Sequence, residues 1–187
     1  MKVFDVAFTG TSLTTGRYTR DWKMEAQARL QEQAPTEVRF YDLGEAARAS
    51  NWGLTNISQV VATRPQVAVI EFAINDAYTS FNISLAQSRT NTEGMINAIR
   101  SGSPGTRIFI MTMNPVLTSD RPNLADYYAQ YRQISVDNGV GLVDNYPDWG
   151  TATVGEIPDN VHPNIEGLRR VLIPNVVKTL KPLIATM

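Results

Sequence analysis

The sequence predicts an α/β fold: a three-layer α/β/α sandwich built on a flavodoxin-like, doubly wound, five-stranded parallel sheet. Three observations predict it. Short apolar runs alternate with stretches of helical periodicity from one end of the chain to the other. The most apolar run, QVAVIEFAI at 66–74, lies mid-chain and reads as a strand buried on both faces. No repeat, low-complexity tract or linker interrupts the pattern, so residues 1–187 are expected to form one domain. Right-handed crossovers leave few alternative topologies.

Taken in order, VFDVAF at 3–8 is the first strand, bounded by Thr9 and Gly10. A helix is expected over 21–33, with Asp21 as N-cap and Met24, Ala28 and Leu30 at near-helical spacing. VRFYDL at 38–43 is the second strand. Residues 53–63 predict a helix with Leu54, Ile57, Val60 and Val61 on one face, stopped by Pro65. After the central strand, a helix over 84–101 ends at Gly102. RIFIMTM at 107–113 is the fourth strand. The next helix, 123–137, has Gly139 as its C-terminal cap. VGLVD at 140–144 is the fifth strand. A long helix over 165–184, kinked at Pro174, closes the chain.

Composition narrows the function. Of 187 residues, 43% are apolar and 19% charged, enough for a core that buries ~70% of the unfolded surface. The net charge of −1 carries no nucleic-acid footprint. No run approaches the ~20 apolar residues of a membrane span, so no membrane partner is expected. Cysteine is absent, which excludes disulfides, thiolate metal sites and cysteine nucleophiles. The first ten residues lack the apolar length of a signal peptide, so the expectation is a cytoplasmic chain or a part of a larger assembly. Oligomeric state is left open.

In open α/β sheets ligands bind beyond the carboxyl ends of the strands. After the first strand comes G-T-S-L-T at 10–14. Ser12 there sits on a glycine turn leading into a helix, where a nucleophile is exposed beside free backbone N–H groups. A serine at such a turn is also a common cap. After the second strand, Gly44 can bring its N–H close to a bound carbonyl, or simply serve the turn. After the third strand, Asn75 can offer an uncharged amide donor to a developing oxyanion; with Asp76 it also suits an Asx turn. Finally, I-P-D-N-V-H-P at 157–163 holds His162, the only histidine. Asp159, three residues earlier, can turn back to its Nδ1–H and fix the tautomer. Structural roles compete for each residue taken singly. Together they supply a nucleophile, a base, an orienting carboxylate and oxyanion donors.

These blocks resemble those of the SGNH (GDSL) hydrolases, whose order is G-D-S, a Gly after strand two, G-x-N-D, and D-x-x-H before the last helix. Here they read G-T-S at 10–12, Gly44, A-I-N-D at 73–76 and D-N-V-H at 159–162. The resemblance implies a serine esterase. Ser12 would attack an ester carbonyl, His162 would move the proton, and Asp159 would orient His162. The N–H groups of Ser12 and Gly44 and the Asn75 amide would hold the oxyanion. An acyl-enzyme would then hydrolyse, and no metal or organic cofactor is implied. Three departures matter. Thr11 stands where Asp is usual. Ala73 stands where Gly is usual, at a cost of ~1 kcal/mol if φ there is positive. Ala47 stands where a second Gly often follows Gly44.

The resemblance spans carbohydrate acetylesterases, lysophospholipases and thioesterases. The absence of a lid-sized insertion or a lipid-gripping segment favours a short acyl group, acetyl above all, on a sugar. Trp52, Tyr78, Trp149 and Tyr18 lie near the blocks and can stack on sugar rings or pack as ordinary rim aromatics. Arg17 and Arg48 can meet an anionic part of a substrate or remain solvated. Two other readings compete: a catalytically degenerate glycan- or protein-binding module, motivated by Thr11 and Ala73, and a nucleotide-binding domain, for which Gly10 and Gly16 lack the phosphate-loop spacing.

Overall fold

The computed structural model describes residues 3–16 and 21–185. Arg17 and Tyr18 lie outside them, as does the side chain of Asp21. The chain runs β1 (Val3–Gly10), α1 (Ser12–Thr15), α2 (Asp21–Gln31), β2 (Glu37–Asp42), α3 (Ser50–Asn56), α4 (Ser58–Thr63), β3 (Val67–Glu71) and α5 (Ala73–Asp76). A 3-10 turn (Thr79–Phe81) leads to α6 (Leu85–Gly102), β4 (Arg107–Thr112), α7 (Leu124–Asn138) and β5 (Gly141–Asp144). The last elements are α8 (Tyr146–Trp149), α9 (Ile165–Arg170) and α10 (Leu172–Ile184).

The five strands form one parallel sheet in the order β2-β1-β3-β4-β5. This is the flavodoxin-like doubly wound order, with the expected run at its centre. All five residues of β3 are buried, as strands covered on both faces must be. Helices α2 and α10 pack together on one face; α3, α4, α6 and α7 cover the other. The core joins Val6, Phe8, Val69 and Ile70 of the sheet to Trp22 and Leu30 on one side and Ile96, Tyr128 and Tyr131 on the other. The direction of winding changes between β1 and β3. Such a switch point opens a crevice beyond the strand ends, and Ser12 and Asn75 both lie just past it.

Three elements differ from expectation, each for a physical reason. The apolar run 66–74 stops being a strand at Glu71, and Ala73–Asp76 forms a buried helical turn. An apolar run does not distinguish a buried strand from a buried turn of helix. The helix expected at 53–63 begins earlier, at Ser50, and divides at Ile57. Its early start has a cause: the Asp76 carboxylate accepts the Ser50 N–H, which no helical carbonyl can reach. The closing helix breaks at Val171 (φ −121°, ψ −65°), not at Pro174. Pro174 occupies the third position of α10, where its missing N–H is not needed. Its ring would clash with the carbonyl four residues back, at Arg170, so the backbone departs just after that residue. Gly139 caps α7 as expected, at φ 58°, with its N–H on the carbonyls of Ser135 and Val136.

Candidate active site

The nucleophile block is built on close backbone approach. A Cβ on Gly10 would lie 2.2 Å from Thr14 Oγ1 and 2.5 Å from the Glu71 carbonyl oxygen, so only glycine fits. Thr11 then turns the chain. Its backbone is extended, and its hydroxyl accepts the Leu13 N–H at 3.2 Å. Thr11 is thus the N-cap of α1, a role that threonine can fill in place of aspartate. Ser12 becomes the first helical residue, whose N–H has no acceptor within its own helix. It is 7% exposed.

The histidine block folds back over this turn. Asp159 Oδ1 accepts the N–H groups of Val161 (3.1 Å) and His162 (2.6 Å), with Asn160 left-handed at φ 66°. Its Oδ2 lies 2.7 Å from His162 Nδ1. His162 Nε2 in turn lies 2.8 Å from Ser12 Oγ. With the proton on Nδ1, the imidazole donates to Asp159 and accepts from the Ser12 hydroxyl. Partial burial pushes the Asp159 carboxyl up, but the N–H donors of His162 and Val161 outweigh it and hold it below the usual carboxylate range. The structure therefore brings all three residues into one hydrogen-bonded line. Such a line can pass the serine proton to the imidazole while the carboxylate compensates the charge.

The expected oxyanion donors Gly44 and Asn75 follow β2 and β3, the strands on either side of β1. A Cβ on Gly44 would lie 2.9 Å from the Gly10 carbonyl oxygen, so glycine lets the second strand end rest on the first. The Gly44 N–H points to Asp42 Oδ1 at 3.3 Å. Asn75 is 5% exposed and gives one amide hydrogen to the Arg48 carbonyl at 2.8 Å. An amide has a second hydrogen to offer. Ala73 takes helical backbone, so alanine is not strained there. Ala47 is strained instead, at φ 56°.

The aromatic expectations divide. Trp52 lies in α3, half-buried, and lines a 440 Å³ groove with Arg48, Asn51, Asn56 and Phe81. Tyr78 is half-buried, with the Arg121 guanidinium 4.5 Å from its ring centre. Trp149 is not available for stacking on a sugar. It is 3% exposed, closes α8, and packs so tightly on α9 that a Cβ on Gly167 would come within 2.9 Å of its ring. Arg48 is held by Glu45 at 2.7 Å.

Three further residues shape the site, and of these the sequence had pointed only to Asp76, as part of an Asx turn. Asn114 follows β4 and donates to the Val161 carbonyl at 2.8 Å, anchoring the histidine block. Asp76 accepts the Ser88 hydroxyl at 2.6 Å as well as the Ser50 N–H, tying α5 to α3 and α6. Burial pushes its carboxyl up. Glu71 lies beneath Thr11 and is 1% exposed. Its one advance signal was being the single acid inside the most apolar run. Among the described residues no cluster of three His, Asp or Glu side chains is placed to hold a metal ion, and no helix is long and apolar enough to cross a membrane.

The family model described as "GDSL-like Lipase/Acylhydrolase family" matches residues 8–170. No curated protein matches the chain in sequence. Among solved structures, a lipase/acylhydrolase from Enterococcus faecalis superposes with a TM-score of 0.83 at 21% identity, covering 96% of each chain. TesA superposes with a TM-score of 0.80 at 22% identity, over 96% of this chain and 99% of its own. An acetyl xylan esterase, AlAXEase, gives 0.79 at 15% identity, over 95% and 100%. At these identities the likeness is one of fold.

Proposed function

The chain belongs to the GDSL-like lipase/acylhydrolase family, and from that premise we propose that it is a serine ester hydrolase with Ser12 as nucleophile. The observation that carries the proposal is the line Ser12 Oγ, His162 Nε2, His162 Nδ1, Asp159 Oδ2, with steps of 2.8 and 2.7 Å between side chains.

Ser12 Oγ attacks the ester carbonyl carbon while its proton passes to His162 Nε2. The carbonyl oxygen takes the negative charge and is held by the Ser12 N–H, the Gly44 N–H and the free hydrogen of the Asn75 amide. Collapse breaks the carbon–oxygen bond of the leaving alcohol, which takes the proton from His162. Water then repeats the sequence on the acyl-enzyme and releases the acid. Asp159 keeps the proton on Nδ1 and offsets the imidazolium charge. Meeting the oxyanion requires the Gly44 N–H to leave Asp42, which its 3.3 Å contact makes inexpensive.

The substrate class is a short acyl ester, acetyl foremost, of a polar alcohol such as a sugar. The groove lined by Trp52 and Phe81 supports this reading. It opens beside Arg48, whose carbonyl holds the Asn75 amide, so a ring lying against Trp52 shares a neighbour with one of the proposed oxyanion donors. The acetyl xylan esterase shares the fold and motivates acetylated xylan as a trial substrate. The test is a panel of p-nitrophenyl esters from acetate to octanoate, together with acetylated sugars. Turnover falling steeply with acyl length, and lost in Ser12→Ala, is expected. A Ser12→Ala chain as active as the wild type, or a wild-type Ser12 that a fluorophosphonate leaves unlabelled, overturns the mechanism.

A further inference from the structure

A buried carboxyl lies directly under the proposed nucleophile and takes no part in the mechanism above. Glu71 ends β3, paired in register with Gly10 of β1. Three donors converge on one of its oxygens. Oε2 accepts the Thr11 N–H at 3.1 Å, the Thr11 hydroxyl at 2.7 Å and the Thr14 hydroxyl at 2.9 Å. Oε1 is sealed from solvent and meets no hydrogen-bond partner. Thr11 caps the short helix α1 just before Ser12, and Thr14 lies within it two residues after Ser12.

The hydroxyl of Thr11 couples these contacts to the nucleophile. It has one proton, which goes to Glu71, and that choice turns a lone pair toward the Leu13 N–H. Glu71 therefore sets the rotor that caps α1. The cap in turn sets where the Ser12 N–H and Oγ point. A helix of a single turn has little stability of its own, so its orientation depends on such ties.

We propose that Glu71 is a positioning residue of the ester hydrolysis: through Thr11 and Thr14 its carboxylate clamps the turn that presents Ser12. The inference rests on the serine-hydrolase reading given above. The clamp is tightest when Glu71 is ionised, because hydrogen bonds to a charged acceptor are roughly twice as strong as neutral ones. Ionisation is not free at this place. Burial pushes the carboxyl up, the threonine hydrogen bonds pull it back, the charge of Asp76 pushes it up again, and the net result is about 7. Around Glu71, Asp76 approaches from α5 and its charge disfavours a second negative charge, while Tyr128 and Tyr131 face it from α7 as neutral phenols. Lys23 of α2 reaches the Thr14 carbonyl and pairs with Asp42 at 3.0 Å. His162 meets the turn through Ser12. Glu71 thus gains its charge near pH 7, while His162 serves as the general base. The wild-type acid limb then contains two ionisations, and log kcat/KM climbs with a slope approaching about two.

The experiment compares wild type, Glu71→Gln and Thr14→Val on p-nitrophenyl acetate across pH 5–9, with Ser12→Ala as control. Glutamine keeps the shape and one acceptor oxygen but never ionises. Its kcat is expected to fall roughly 10- to 100-fold at pH 8 through misplacement of the nucleophile, with KM changed less than threefold. Its acid limb drops to a slope of about one. Fluorophosphonate labelling of Ser12 slows by the same factor as kcat. Thr14→Val removes one donor and leaves the carboxyl in place. Its second ionisation moves to higher pH, so the test survives a Glu71→Gln chain that does not fold. If Ser12 supports turnover but Glu71→Gln matches wild type in kcat and slope, the clamp is overturned and the hydrolase reading stands. An unmoved profile in Thr14→Val also overturns it. A wild-type chain inert to both ester and probe overturns the hydrolase reading and this inference with it.

Discussion

Asn114 and Val161 are joined by a 2.8 Å hydrogen bond that fastens the histidine-bearing loop to the carboxyl end of β4. The same amide also reaches the Pro115 carbonyl at 2.7 Å, and the Leu117 N–H adds a second tie, to the Asn160 carbonyl at 2.8 Å. His162 is thereby held from the sheet side as well as by Asp159. Replacing Asn114 with Ala removes one tie and leaves the part-buried Val161 carbonyl without its amide donor, at a cost of about 1 kcal/mol. Esterase kcat is expected to fall about tenfold with KM little changed. Steady-state kinetics and a urea melt measure both, and an Asn114→Ala chain with wild-type kcat would show that the loop holds itself.

Asp159→Asn should preserve the shape of the turn while removing its charge. With an amide at this place the imidazole loses its reason to carry the proton on Nδ1, and kcat is expected to fall by about 10⁴-fold. A second consequence concerns stability. The Asp159 carboxyl is held below its ordinary value of 3.8 in the folded chain. A depressed acid contributes stability above its unfolded pKa and loses it as pH falls through the folded one. Thermal melts below pH 4 should therefore fall less steeply for Asp159→Asn than for wild type. Parallel curves would contradict the assignment.

The sheet was legible because periodicity reports burial, and five apolar runs separated by helical stretches admit few arrangements. Ser12, Asp159 and His162 were legible because each stands in a short local pattern. Glu71 and Asn114 were not, because their partners lie 60 and 47 residues away in the chain. Nothing local distinguishes a buried carboxyl that ties down a helix from a charge that interrupts a strand. Trp149 stayed open between stacking and packing for the same reason: α9, which covers it, belongs to a different part of the sequence. Backbone angles were hidden as well. Strain was weighed at Ala73, which is helical, whereas Ala47 is the left-handed residue.

That strain gives a prediction. Ala47 is exposed and sits at φ 56°, a region that costs an L residue about 1–2 kcal/mol. Glycine removes the cost but makes the unfolded chain more flexible, which returns part of it. Ala47→Gly is expected to stabilise the fold by roughly 0.5–1 kcal/mol, read as a higher urea midpoint at unchanged slope. A loss of stability would mean that the Ala47 methyl makes a contact outweighing the strain.

Glu71 predicts a pH dependence of stability opposite in sign to that of Asp159. Its carboxyl titrates at about 7 in the folded chain, against 4.5 in a free carboxyl. Between those values the folded chain keeps a proton that the unfolded chain has released. Stability therefore falls as pH rises through this window and is lowest above it. The full difference is about 3 kcal/mol. Glutamine has no proton to lose, so Glu71→Gln should show a shallower fall in urea-unfolding free energy between pH 5 and pH 8. Asp76, whose carboxyl is also pushed up by burial, acts in the same direction in both chains and cancels in the comparison. The two effects of Glu71 thus separate: above pH 7 its charge costs stability while it fastens the turn under Ser12. Identical slopes in the two chains would show that Glu71 keeps its charge at no cost to the fold.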